Sequence, residues 1–102
     1  MTSQKLKISQ MRRRAGQVTR LLKCIANEQR LLVLCQLMEG EKTAGDLTQI
    51  TGMSQSAVSQ HLALLRDNEI VTTRRESQFI FYSLSSREMR EMIGLLYNLY
   101  CK

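Results

Sequence analysis

The chain has no proline and no tryptophan, only three tyrosines and two phenylalanines, a single histidine and three cysteines. Without proline, nothing breaks a helix before Gly16, so the basic start of the chain can extend directly into the first helical segment. With one histidine, no Cys-x-x-Cys and no Cys–His pairing on a cleft, a thiol-redox enzyme is disfavoured, and no enzymatic activity is expected. No apolar run approaches the ~20 residues needed to span a bilayer. The opening MTSQKLKISQMRRR is basic but lacks the apolar core of a signal peptide, so the cytoplasm is the expected location. In that compartment three cysteines read as thiols rather than a structural disulfide framework, and an odd count leaves at least one unpaired. Acidic residues are also few: nine against fifteen Lys and Arg, giving a net charge of +6 and a pI near 9.7. That balance favours a polyanionic partner and says nothing about fold.

One stretch is short of charge in an informative place. From Ser54 to Leu65 no residue is charged, although the segment has helical periodicity. Val58, Leu62 and Leu65 recur at i, i+4 and i+7 and define an inward face. Ser56, Ser59, Gln60 and Ala63 fall opposite them, with Gln55 at the edge. A surface helix usually fills that side with Lys and Glu. Short side chains, or side chains offering both donor and acceptor, suit close approach to base edges instead. The pattern points to a recognition helix for DNA, with Ser54, Gln55, Ser56, Ser59 and Gln60 as the contacting residues.

At 102 residues the chain supports one domain, burying about 60–70% of its unfolded surface. Residues 1–14 carry Lys5, Lys7, Arg12, Arg13 and Arg14 without an acidic residue, and read either as a solvated basic arm or as one touching phosphates. The domain proper is expected over 15–102. Val18, Leu21, Leu22 and Ile25 form the apolar stripe of a first helix, which leaves Cys24 on an accessible flank. Asn27 caps a second helix with Glu28 in its first turn. This helix, RLLVLCQLME, is apolar over most of its circumference and should be the buried centre, with Gly40 ending it. Cys35 shares a face with Leu31, Leu34 and Met38 and reads from the residues alone as a core position. Thr43 and Asp46 make a capping-box arrangement for a third helix that points Ala44, Leu47 and Ile50 inward. Thr51-Gly52 turns the chain, and Ser54 caps the fourth helix, with Met53 and Val58 as a hydrophobic staple.

Beyond Asp67-Asn68-Glu69 the pattern turns to β. Ile70–Arg75 and Phe79–Leu84 are rich in β-branched and aromatic residues, joined by Glu76-Ser77-Gln78 as a hairpin loop. Arg74 and Arg75 near the tip are placed for phosphates or the minor groove, or serve as edge-strand charge that deters aggregation. The last helix starts at a Ser85/Ser86 cap. Its stripe of Met89, Ile93, Leu96 and Tyr100 is widened by Met92, Leu95 and Leu99 on one side and Tyr97 on the other. That is broader than one packing partner requires, so a symmetric dimer through the first and last helices is expected. The expected fold is mainly α with a small β-hairpin, a winged helix-turn-helix of four helices, two strands and a final helix. Two recognition helices in such a dimer reach successive major grooves of double-stranded operator DNA about 34 Å apart.

SQSAVSQHLALLRDNEIV followed by RRESQFIFYSL resembles the recognition helix and wing of the ArsR/SmtB repressors, and RLLVLCQL resembles their second helix. The likeness runs from about residue 17 to the end. It implies a homodimeric repressor that leaves operator DNA when an inducer binds, with DNA contacts at Gln55, Ser56, Ser59 and Gln60. Asn27-Glu28 departs from the His-Pro or Ser-Pro of many members.

Metal-sensing members resemble one another in carrying Cys-x-Cys at the start of the third helix. Thr43-Ala44-Gly45 stands there in this chain, so soft-metal binding lacks its thiolates. The last helix offers Glu88 and Glu91 but no histidine, and His61 reads as a packed, hydrogen-bonded side chain, a phosphate contact or a ligand. No metal or cofactor is expected. Cys35 and Cys101 are similar in position to the paired cysteines of the family's thiol- and persulfide-sensing branch. The resemblance therefore implies that reactive sulfur species or other thiol oxidants act as inducer by linking them. Lys102 would partly offset the unfavourable helix end beside Cys101. A metal- or metalloid-responsive repressor using Cys24 with Cys35 or Cys101 is the alternative, as is an activator that displaces another DNA-binding protein.

Overall fold

Four polar side chains set where the helices begin. The structure, a computed structural model describing residues 5–101, has five helices and three strands. Helix α1 (Ile8–Ile25) needs no side-chain cap at its start. Asn27 opens α2 (Glu28–Met38) by accepting from the Arg30 backbone N–H at 3.0 Å. Thr43 opens α3 (Ala44–Thr51) through a full capping box with Asp46, both bonds 3.0 Å. Gly52 closes α3 at φ 75°, a left-handed conformation that costs glycine nothing. Ser54 opens α4 (Gln55–Asp67), and Ser86 opens α5 (Arg87–Tyr100). Each cap satisfies backbone donors that a helix cannot pair internally.

The wing is larger than a hairpin. Strands β2 (Val71–Glu76) and β3 (Phe79–Leu84) are joined by a two-residue turn, Ser77-Gln78, rather than a three-residue loop, because Glu76 pairs with Phe79 across it. Ser77 takes φ 56° to make so tight a turn. A third strand, β1 (Lys42–Thr43), lies on the other side of β3, giving the order β1-β3-β2. Two residues carry no periodicity of their own, and their partners Tyr82 and Phe81 lie some forty positions later.

The core joins Val33, Leu34 and Leu37 of α2 to Leu47, Val58, Leu62, Leu65, Ile70, Val71, Leu84, Met89 and Ile93. The central role of α2 and the inward face of α4 are as read from the sequence. Two other readings are corrected. Cys24 is buried, at 2% exposure, because α1 turns its Leu21, Cys24 and Ile25 edge onto α2. Ile50 is 51% exposed rather than inward-facing, since eight residues of α3 make only two turns and Leu47 alone reaches the centre.

That rotation of α1 leaves a second apolar seam open. Ile8, Met11, Val18 and Leu22 are all exposed, and with Ala15 they repeat at alternating intervals of three and four. This is the spacing of a helix that packs along another helix. On α5, Leu95, Tyr97, Leu99 and Tyr100 are likewise open. The radius of gyration, 15.4 Å, exceeds the ~13 Å usual for a compact chain of this length. The basic residues Arg12, Arg13 and Arg14 lie inside α1, and residues 1–4 of the expected arm fall outside the described residues.

Candidate nucleic-acid interface and thiol pair

The outer face of α4 is built by its own cap. Ser54 Oγ accepts from the Ala57 N–H at 3.2 Å and lies 3.3 Å from Ser56 Oγ, so both hydroxyls are held at the helix start. Gln55, Ser59, Gln60 and Ala63 are exposed on the same side. Val58, Leu62 and Leu65 hold the opposite side at 0–1% exposure, which fixes the rotation of the helix about its axis. The result is a polar, uncharged surface able to donate and accept at short range, backed by close-packed apolar side chains.

His61 stands between these faces. Its Nε2 lies 3.0 Å from Gln29 Oε1 of α2, so the imidazole ties α4 to the start of the central helix. Burial, and secondarily the Arg30 guanidinium, lower its pKa. Of the three roles the sequence left open, the packed, hydrogen-bonded side chain is the one seen. Arg30 itself donates from Nε to the Cys24 carbonyl and from Nη2 to the Lys23 carbonyl, both at 2.9 Å. It satisfies carbonyls left over at the end of α1 and fixes the α1–α2 corner.

The two wing arginines behave differently. Arg75 is exposed and makes no ion pair among the described residues. Arg74 pairs with Glu41 and Glu76 and lies over the Phe81 ring. Sequence reading had no signal for this, because Glu41 sits 33 positions away.

The three cysteines are all thiols but are not equivalent: Cys24 is buried, Cys35 half-buried and Cys101 exposed. Helices α2 and α5 pack together, which brings the element carrying Cys35 beside the one ending at Cys101. Burial raises the pKa of Cys35, and the charge of Cys101 raises it further. Burial also raises that of Cys24, against a smaller opposing effect of Arg30. Lys102 lies outside the described residues. Among the described residues no three Cys, His, Asp or Glu side chains cluster so as to hold a metal ion, and no helix is long and apolar enough to cross a membrane.

Comparison with known proteins agrees with this architecture. Residues 27–73 match the family described as bacterial regulatory protein, arsR family. The transcriptional activator HlyU of Vibrio cholerae is 45% identical, over 95% of this chain and 90% of its own. The structure of reduced HlyU from V. cholerae superposes with a TM-score of 0.87 at 46% identity, covering 93% of this chain and 100% of that one. The transcriptional repressor BigR from Xylella fastidiosa gives 0.88 at 37% identity, covering 95% and 99%.

Proposed function

Since the chain belongs to the arsR family of DNA-binding transcriptional regulators, we propose that it is a cytoplasmic homodimeric repressor, released from operator DNA when Cys35 and Cys101 are oxidised. The observation that carries this reading is the packing of α2 against α5, which sets the half-buried Cys35 on one helix beside the exposed Cys101 at the end of the other. In the DNA-bound state Ser54, Gln55, Ser56, Ser59 and Gln60 face base edges and Arg75 a phosphate. The open seam of α1 and the open face of α5 are the surfaces that a second copy closes. A winged helix-turn-helix neighbour from Mycobacterium bovis, 26% identical, is described as homodimeric, which supports that assembly.

The chemistry follows from the unequal exposure of the two thiols. Cys101, exposed, is the group a persulfide R–S–SH meets first. Its thiolate attacks the outer sulfur, R–S⁻ departs and takes up a proton, and Cys101 becomes a persulfide. The Cys35 thiolate then attacks Cys101 Sγ and expels HS⁻, leaving a Cys35–Cys101 disulfide. Two thiols have lost two electrons and two protons, and the transferred sulfur leaves as hydrogen sulfide. A disulfide needs Cα atoms about 4.4–6.8 Å apart, and an added sulfur spans more. The link ties α2 to α5 and biases the dimer away from the DNA-competent spacing of its recognition helices. A 100-fold loss of affinity requires only about 2.8 kcal/mol of difference between the two states.

The test pairs mass spectrometry of thiols after persulfide treatment with binding to operator DNA. The wild type should lose binding as the Cys35–Cys101 link forms. If Cys35→Ser still releases DNA on oxidation, the pair is not the switch.

A further inference from the structure

We infer that Arg74 is a positioning residue that sets the angle of the wing, and that the wing's phosphate contact belongs to Arg75 alone. The inference rests on the DNA-binding reading above and assigns the two adjacent arginines separate tasks.

Arg74 is engaged on three sides by three segments of chain. Its Nε donates to Glu41 Oε2 at 2.9 Å, and its Nη2 to Glu41 Oε1. Its Nη1 donates to Glu76 Oε2 at 2.6 Å. The guanidinium carbon stands 4.5 Å from the centroid of the Phe81 ring. An exposed ion pair alone is worth little, but a bidentate fork shared by two carboxylates and stacked on a ring is a network with one geometry. The two carboxylates outweigh its single positive charge. A phosphate brought to this spot meets net negative charge, and contacting Arg74 would mean dismantling the network.

The register separates the neighbours further. Arg74 is opposite Phe81 and Arg75 opposite Ile80. Side chains of paired residues share a face of the sheet, and successive residues alternate. Arg75 thus shares a face with Val71, Tyr82 and Leu84, which pack on the helical core, and Arg74 projects from the opposite face. Arg75 therefore extends beyond the core on the side of the sheet where the recognition helix lies. Glu41 immediately precedes β1 and the Thr43 cap of α3, so the Arg74–Glu41 pair fastens the wing to the start of the helix-turn-helix.

The test is the salt dependence of binding by the full chain. The probe is a duplex of about 30 base pairs, long enough for two half-sites a helical turn apart, enriched by the wild type from a random pool. Each phosphate neutralised contributes about 0.9 to the slope of log K against log salt, so Arg75→Gln should lower the slope by about 1.8 per dimer. Arg74→Gln should weaken binding about fivefold through a loosened wing, with the slope unchanged. Glu41→Gln should weaken binding similarly, although it removes a negative charge. A slope lowered by Arg74→Gln as much as by Arg75→Gln overturns the assignment, as does tighter binding by Glu41→Gln. If the wild type enriches no duplex, the DNA-binding reading itself fails, a result separable from either of these. All three side chains are exposed, and matched thermal melts establish that each variant is folded.

Discussion

Replacing Leu95 and Leu99 together by serine should leave the protomer's core intact and abolish its association. Leu95 is 51% exposed and Leu99 64%, whereas their neighbour Ile93 is 2% exposed and already packed inside the chain. Full burial of a leucine is worth about 1.5–3 kcal/mol, so the surface these two leave open represents about 2–3.5 kcal/mol per protomer. In a two-fold dimer the same patch is used twice, so the double substitution should cost about 4–7 kcal/mol. At about 1.4 kcal/mol per decade, the dissociation constant should rise by three to five orders of magnitude. Sedimentation equilibrium over a dilution series reads that constant directly. Ile50→Ser is the matched control, because Ile50 exposes a comparable 51% but lies on α3. If the α5 double variant keeps the wild-type dissociation constant, or the Ile50 variant loses association equally, the open face of α5 is not the subunit interface.

Two further outcomes follow from the corner between α1 and α2. Arg30→Met keeps the apolar stem but strips the Lys23 and Cys24 carbonyls of their donors. It should lower stability by about 2 kcal/mol, seen as a shifted urea midpoint with an unchanged slope; an unshifted midpoint would mean that water replaces the guanidinium without loss. His61, whose pKa is lowered by burial, binds a proton less readily in the fold than when unfolded. Its contribution is therefore present above the ordinary histidine value and is lost as pH falls through the lower folded value. Wild-type stability should drop more than that of His61→Gln between pH 7.5 and 5.5 in parallel denaturant titrations; equal losses would show that the imidazole's burial is without consequence.

What could be read from the residues was whatever is decided within a turn of chain. Asn27, Thr43 with Asp46, Ser54 and Ser86 each cap a helix through a neighbour three positions away, and each cap was legible. The polar face of α4 was legible for the same reason, since its rotation follows from Val58, Leu62 and Leu65. Features decided by distant partners were not. The direction of Cys24 depends on where α2 crosses α1, and the mean of an apolar stripe with one packed edge and one open edge points to neither. Strand β1 exists only because β3 offers a free edge. The engagement of Arg74 depends on a glutamate 33 residues earlier, which no local pattern announces.

Thr43 belongs to three structures at once. Its backbone pairs with Phe81 in the sheet, its hydroxyl accepts from the Asp46 N–H to cap α3, and its own N–H donates to the Asp46 carboxylate. The strand that supports the wing and the first turn of the helix-turn-helix therefore share a residue, with no linker between them to act as a hinge. Under the proposed thiol switch, a displacement of α2 or α5 therefore carries the base of the wing and the first turn of the helix-turn-helix together. On that proposal the base contacts of α4 and the phosphate contact of the wing weaken in one motion rather than one after the other.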